Sequence, residues 1–158
     1  MGLSHSFGLA FYKAEEAAGC VLPKEGAVLM TISENDRVQG GTFEMVAQGF
    51  ARLGFKILAT EGTFSALQAL GVKCEKINKI NEQRPNIVDA MKNGDIQLVV
   101  NTPLGKRSQS DDSYIRKNAI RLRIPYMTTL AAAFAALKGI EAIRGGLESV
   151  CSLQEYHR

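Results

Sequence analysis

Apolar positions recur along this chain at two different spacings, and the alternation between them sets the expected fold. Phe7, Ala10, Phe11, Ala14 and Ala18 fall at helical intervals and stop at Gly19, which predicts a first amphipathic helix. CVLPKEG (20–26) reads as a linker. The continuous apolar run AVLMTIS (27–33) predicts a buried strand, ENDRVQGG (34–41) a loop, and Phe43, Val46, Ala47 and Phe50 the stripe of a helix ending before Gly54. FKILAT (55–60) is a strand, TFSALQAL (63–70) a short helix closed by Gly71, and VKCEKI (72–77) an alternating strand. After the connection NKINEQRP (78–85) come a short helix in NIVDAMKNG (86–94) and a buried strand in IQLVVN (96–101). TPLGKRSQSD (102–111) is a loop, and Ile115, Ala119 and Leu122 line a helix. IPYMT (124–128) is a strand, Leu130, Ala133, Phe134, Leu137 and Ile140 stripe a last long helix, and VCSLQEY (150–156) is a trailing strand or extended tail.

Short strands alternating with helices argue for an α/β fold around a parallel sheet. The first helix stands apart from this alternation.

Composition narrows the class without naming it. The chain has 158 residues, 46% of them hydrophobic and 22% charged, which fits one ordinary globular domain. A net charge of +3 does not by itself call for nucleic acid. The cations Arg116, Lys117, Arg121 and Arg123 lack interleaved aromatics and read as a solvated or domain-facing helix side, so no nucleic-acid partner is expected. No apolar run approaches the ~20 residues of a membrane span, so no membrane partner is expected. MGLSHSFG lacks the layout of a secretory signal. Three widely spaced cysteines, Cys20, Cys74 and Cys151, suit reduced thiols in a cytoplasmic protein better than disulfides or a zinc site. Only two histidines are present, His5 and His157, which starves any mechanism needing a central imidazole.

In an open parallel sheet, ligands gather beyond the carboxyl ends of the strands. Those ends carry Thr31 and Ser33, Thr60 and Thr63, Asn78 and Lys79, Asn101 and Thr102, and Thr128 and Thr129. Arg37, Lys79, Lys106 and Arg107 lie nearby. Hydroxyls, cations and helix-terminal N–H groups make a receptor for phosphate or carboxylate. The same Thr and Asn residues are equally at home as helix caps. Neither G-x-G-x-x-G nor G-x-x-x-x-G-K-[ST] occurs. Asp111 and Asp112 sit at a helix start, where Ser110 or Asp111 caps and acidic side chains suit the dipole.

With those residues in hand, the chain resembles the methylglyoxal-synthase-like domains. Within that family it is most similar to the C-terminal allosteric domain of the carbamoyl phosphate synthase large chain. The resemblance is carried by GAVLMTIS, GFKILATEGT, NKINEQRPNIVDAMKNGDIQLVVNTPLGKR, DDSYIRKNAI and IPYMTTLAAAFAAL, preceded by SFGLAFYKAEEAAG. It implies a Rossmann-like three-layer domain with a central five-stranded parallel sheet over 23–158, and a helix and linker (1–22) from the end of a preceding synthetase domain. It further implies a regulatory module without catalytic residues or a cofactor of its own, binding nucleotide monophosphates such as uridylate and inosinate. The phosphate set implied is Thr31, Arg37, Thr60, Thr63, Lys79, Asn101 and Thr102. Asp111 and Ile115 would lie along the nucleoside, and Tyr126 and Thr128 would reach ornithine. The implied partners are the preceding synthetase domains of the same chain and a glutaminase small chain, with ATP and Mg or Mn used elsewhere in the full enzyme.

Three features depart from the family pattern. The loop 34–41 is longer, Pro103 replaces a threonine, and Glu61 adds negative charge beside the expected phosphate, which weakens anion binding unless its side chain points outward. The lyase that names the family is a poorer match: Thr102 and Arg84 stand where it carries catalytic aspartates, and no histidine follows PLGKR. An inosinate cyclohydrolase ranks lower, because its G-R-V-K-T-L-H-P stretch is missing. A free-standing phosphate-ligand-binding protein is the remaining alternative.

Overall fold

The computed structural model describes residues 1–38, 41–80, 82–102, 109–146, 152 and 154–157, without the side chains of 109–111 and 157. Its elements run α1 (Phe7–Ala17), β1 (Ala27–Thr31), α2 (Glu34–Val38), α3 (Thr42–Arg52), β2 (Lys56–Ala59), α4 (Glu61–Ala69) and β3 (Glu75–Lys76). Then follow α5 (Ile87–Lys92), β4 (Leu98–Asn101), α6 (Gln109–Arg121), β5 (Tyr126–Met127), α7 (Leu130–Arg144) and a 3₁₀ turn (Glu155–His157).

The five strands form one parallel sheet in the order β3-β2-β1-β4-β5. Register is set in the centre, where Leu29 lies opposite Leu58 on one side and Val99 on the other. Period-two alternation splits the strand residues between two cores. Val28, Met30, Ile57, Ala59, Leu98 and Val100 face a cluster with α1, α3, α4 and α7. Ala27, Leu29, Leu58 and Val99 face a second cluster with α5 and α6. The result is a three-layer α/β fold. Because both faces are covered, the central strands read as unbroken apolar runs. Each fully buried Leu, Ile or Phe contributes roughly 1.5–3 kcal/mol.

The edges differ from the sequence expectation. Of VKCEKI only Glu75 and Lys76 pair, and of IPYMT only Tyr126 and Met127. The β3 edge is short and charged, which resists pairing with another chain.

The expected loop at 34–41 is in part a helix. Ser33 starts α2: its Oγ donates to Asp36 Oδ2 at 2.7 Å and accepts from the Asp36 N–H at 3.3 Å. That S-x-x-D signature stood in the sequence, but the five residues after it bury nothing, so no apolar period announced a helix. α4 begins two residues before the expected Thr63, and α6 already runs from Gln109, so Ser110 and Asp111 lie inside the helix and are not its caps.

α1 buries a different face from the one its apolar spacing suggests. Gly8, Leu9 and Tyr12 are buried, whereas Phe7 is 71% exposed. The cause is close packing on α7: a Cβ on Gly8 would stand 2.5 Å from the Lys138 carbonyl oxygen, and one on Gly139 would stand 3.1 Å from the Gly8 oxygen. Two glycines let the backbones meet, and that contact fixes the rotation of the helix. Leu22, in the expected linker, is buried in the same core. Of the tail, Glu155–His157 forms the 3₁₀ turn, and 147–151 and 153 lie outside the described residues.

Candidate functional site

β1 connects leftward to β2, and β4, its other neighbour, connects rightward to β5. The crevice beyond the ends of β1 and β4 is therefore the topological switch point, where ligands collect in open α/β sheets. A cleft of about 690 Å³, open to solvent, lies there, lined from β1 by Thr31, Ile32 and Ser33 and from the β2–α4 junction by Thr60, Gly62 and Thr63. Arg37, Lys79, Ile80, Ile87, Thr102, Asp112 and Ile115 complete the wall.

The β2–α4 junction has an unusual economy of hydrogen bonds. Thr60 holds the N-cap position with extended backbone, yet its side chain makes no cap bond. The first-turn N–H groups, which every helix leaves without intrahelical partners, are therefore not satisfied by a cap. Thr63 turns elsewhere. Its Oγ1 accepts from the Ile32 N–H at 2.9 Å and donates to the Ile32 carbonyl at 3.4 Å. Thr102 Oγ1 accepts from the Ser33 N–H at 2.8 Å. These two hydroxyls pin the turn after β1 from either side, and the Thr102 proton remains available to an acceptor in the cleft.

Positive charge stands over that helix start. Arg37 reaches from α2 to donate to the Gly62 carbonyl oxygen. Its Nε is buried without a hydrogen-bond partner among the described residues. A Cβ on Gly62 would stand 2.9 Å from one guanidinium nitrogen, so glycine is what lets Arg37 lie there. Lys79 is exposed at the rim; its backbone N–H donates to Glu82 Oε2 at 2.8 Å, and its ammonium joins no ion pair among the described residues. Glu61 does not spoil the field, because its carboxylate is ion-paired with Lys76 on the outer side. The hydrogen bond to Glu61, then its charge, raises the Lys76 pKa. Helix N–H groups and two cations make this side a receptor for an anion.

Asn101 does not line the cleft. It is fully buried behind Thr31, accepting from Thr31 Oγ1 at 3.1 Å and donating to Asp112 Oδ1 at 3.2 Å and to the Tyr126 hydroxyl at 2.6 Å. Tyr126 packs under the Arg116 guanidinium at 5.6 Å from its ring centroid. Neither Tyr126 nor the half-buried Thr128 lines the cleft. The side chain of Asp111 lies outside the described residues, as do Pro103, Lys106, Arg107 and Cys151. The structure thus brings Thr31, Arg37, Thr60, Thr63, Lys79, Thr102 and Ile115 to one cleft and leaves Asn101, Tyr126 and Thr128 beside it.

Ser33, placed at a strand end by the sequence but not in the implied phosphate set, also lines the cleft, as do Gly62, Ile80, Ile87 and Asp112, which that set lacked. Asp112 had one available signal: it precedes Ile115 by three residues, which places both on one helix side.

Little else in the cleft is reactive. Asp112 is its only lining carboxylate among the described residues. His5 stacks on Tyr156 at 5.2 Å, away from the cleft lining. Burial, then Glu15, pushes the Cys20 thiol up to about 12, and burial raises that of Cys74, so neither is an activated nucleophile. No group of three metal-ligating side chains occurs, and no helix is long and apolar enough to cross a membrane, among the described residues.

Comparison with known proteins agrees with this geometry. The carbamoyl phosphate synthase large chain of Archaeoglobus fulgidus is 43% identical over 157 residues, covering 99% of this chain and 14% of its own length. The C-terminal section of the large chain from Aquifex aeolicus is 41% identical over 162 residues, covering 99% of this chain and 30% of its own. The corresponding section from Methanopyrus kandleri is 40% identical over 159 residues, covering all of this chain and 29% of its own. The chain thus spans about one seventh of the full-length relatives and under a third of the sections. The family model for the MGS-like domain matches residues 42–128, more than half of the chain and the whole run from α3 to the end of β5. A five-stranded parallel sheet with its cleft at the switch point, matched over that run, makes this chain a member of the MGS-like domain family.

Proposed function

We propose that this chain is the regulatory MGS-like domain of a carbamoyl phosphate synthase large chain, binding nucleotide monophosphates in the switch-point cleft. The observation that carries this reading is the uncapped start of α4 beneath Arg37 and beside Lys79. A phosphate dianion supplies what those N–H groups and cations lack. Thr60 and Thr102 add hydroxyl donors, and Ile80, Ile87 and Ile115 offer an apolar surface for a base. The domain acts by biasing the preceding synthetase domains of the same chain, which work with a glutaminase small chain in the cytoplasm. ATP and its Mg or Mn belong to those domains and not to this one. An effector regulates only by binding one global state better than another, and a coupling of about 1–3 kcal/mol suffices. Asn101 is a route for that bias, since one side chain joins Thr31 at the cleft to Tyr126 on β5. Tyr126 and Thr128 are the residues proposed to meet ornithine.

Calorimetric titration of the chain with uridylate and inosinate tests the reading. Both bind, and Lys79→Ala weakens both alike, by about tenfold or more, because a charge-assisted contact to the shared phosphate is lost. Absence of binding by either nucleotide, or turnover of dihydroxyacetone phosphate by the purified chain, overturns it.

A further inference from the structure

At the opposite end of the sheet from the cleft, beyond the amino ends of the strands, lies an apolar groove. Its walls are Val21 and Pro23 before β1, Ile96 before β4, and Leu122, Ile124 and Pro125 between α6 and β5. Val21 is 60% exposed there. Lys92 and Arg123 line the same groove, and no carboxylate does among the described residues. The charge around it has one sign. From Ser113 to Ile140 the chain carries Arg116, Lys117, Arg121, Arg123 and Lys138 and not one acid. Lys92, Lys117, Arg121 and Arg123 are exposed and join no ion pair among the described residues. Ile120 is exposed on the same stretch of α6, one turn after Arg116 and Lys117.

Arg123 holds a backbone conformation that its own side chain penalises. Its φ is +56°, the one positive value outside glycine among the described residues. α3, α4 and α5 close on Gly54, Gly71 and Gly94, with φ between +69° and +77° and each N–H donating to the carbonyl three residues back. Arg123 takes that place after α6, its N–H donating to the Ile120 oxygen at 3.1 Å. A Cβ in the left-handed region costs energy that glycine avoids. Strain that one glycine would relieve points to a use for the side chain. Here that side chain puts a cation on the wall of the groove.

We propose that this groove docks an acidic segment, bearing an apolar side chain, from the part of the large chain outside this domain. The proposal rests on the reading above only in placing the domain within a large chain. Two observations select that occupant. This chain spans about one seventh of its full-length relatives, so the remainder is tethered to it at high effective concentration. The groove pairs exposed apolar side chains with unpaired cations, which an acidic and partly apolar protein surface complements. A nucleic acid backbone would answer the cations and offer nothing to Val21 and Leu122.

The test is acetylation by an N-hydroxysuccinimide ester, read by mass spectrometry, on the 158-residue chain and on the full large chain. Lys92 and Lys117 react several-fold more slowly in the large chain, relative to Lys56 on β2, and raised salt removes the difference. Arg123→Glu in the large chain removes it too, because acid then meets acid. In the 158-residue chain Arg123→Gly raises the midpoint of urea unfolding, since the backbone strain is gone. A midpoint unchanged or lowered overturns the argument that the arginine is kept for a partner. Equal lysine reactivity in the two chains, protection that needs added duplex DNA, or protection that outlasts Arg123→Glu overturns the docking site. Each of those leaves nucleotide binding in the cleft standing. Failure of uridylate and inosinate to bind, with Lys92 and Lys117 still protected, overturns the effector reading and leaves the docking site.

Discussion

Thr60 and Thr129 occupy the same place in the fold, the N-cap of a helix at the end of a parallel strand, and they behave in opposite ways. Thr129 Oγ1 accepts from the Ala132 N–H at 3.1 Å and closes the start of α7. Thr60 makes no such bond and leaves the start of α4 open. Asn86 closes α5 more completely still, with its side chain accepting from Val88 and Asp89 while Asp89 returns the bond to the Asn86 N–H. A helix start that satisfies itself has no further demand to make. One that does not, set at the switch point under an arginine, keeps its demand for a ligand. Beside that open start, the hydroxyls of Thr63 and Thr102 hold the turn after β1 across the sheet and do not cap α4.

The most severe way to break the comparison is to remove both cations. Arg37→Ala with Lys79→Ala lowers nucleotide affinity on the order of 100-fold by calorimetry, two charge-assisted contacts being lost; an unchanged constant would separate the open helix end from any anion. Next comes Asn86→Ala, which deletes the capping box and costs about 1–2 kcal/mol in urea unfolding. Thr129→Ala costs about 1 kcal/mol by the same measurement, whereas Thr60→Ala costs only a few tenths, because there is no cap bond to lose. The Thr60 variant shows instead a several-fold weaker nucleotide affinity, and equal destabilisation by the two substitutions would erase the distinction drawn between them. The mildest test is Gly62→Ala. It stabilises α4 by about 0.5–1 kcal/mol, as alanine does in a helix, while crowding the Arg37 guanidinium and weakening the ligand. Stability and affinity moving in opposite directions is the expected signature.

Much of the frame was legible in the chain itself. The strand and helix order came from apolar spacing, and helix ends from glycines such as Gly71, which takes φ +69°. The concentration of Thr, Asn and Lys at strand ends pointed to the edge of the sheet where the cleft lies. The misses share a cause. α2 lacked an apolar period because it covers a cleft and not a core. The face of α1 was misjudged because the Gly8–Gly139 contact, which rotates it, joins residues far apart in sequence. Asp112 was read as a helix-start acid because its tie to Asn101 crosses from α6 to β4.

What the sequence determined alone was everything that depends on near neighbours: periodicity, capping chemistry, the class of fold, and which strand ends carry polar groups. What the tertiary structure decided was which of those groups are already spent. Thr63 donates to a residue 31 positions away and Thr31 to one 70 away, whereas Thr102 only accepts from one 69 away and keeps its proton. A hydroxyl has one proton to give, and only the folded chain sets which acceptor comes near enough to take it.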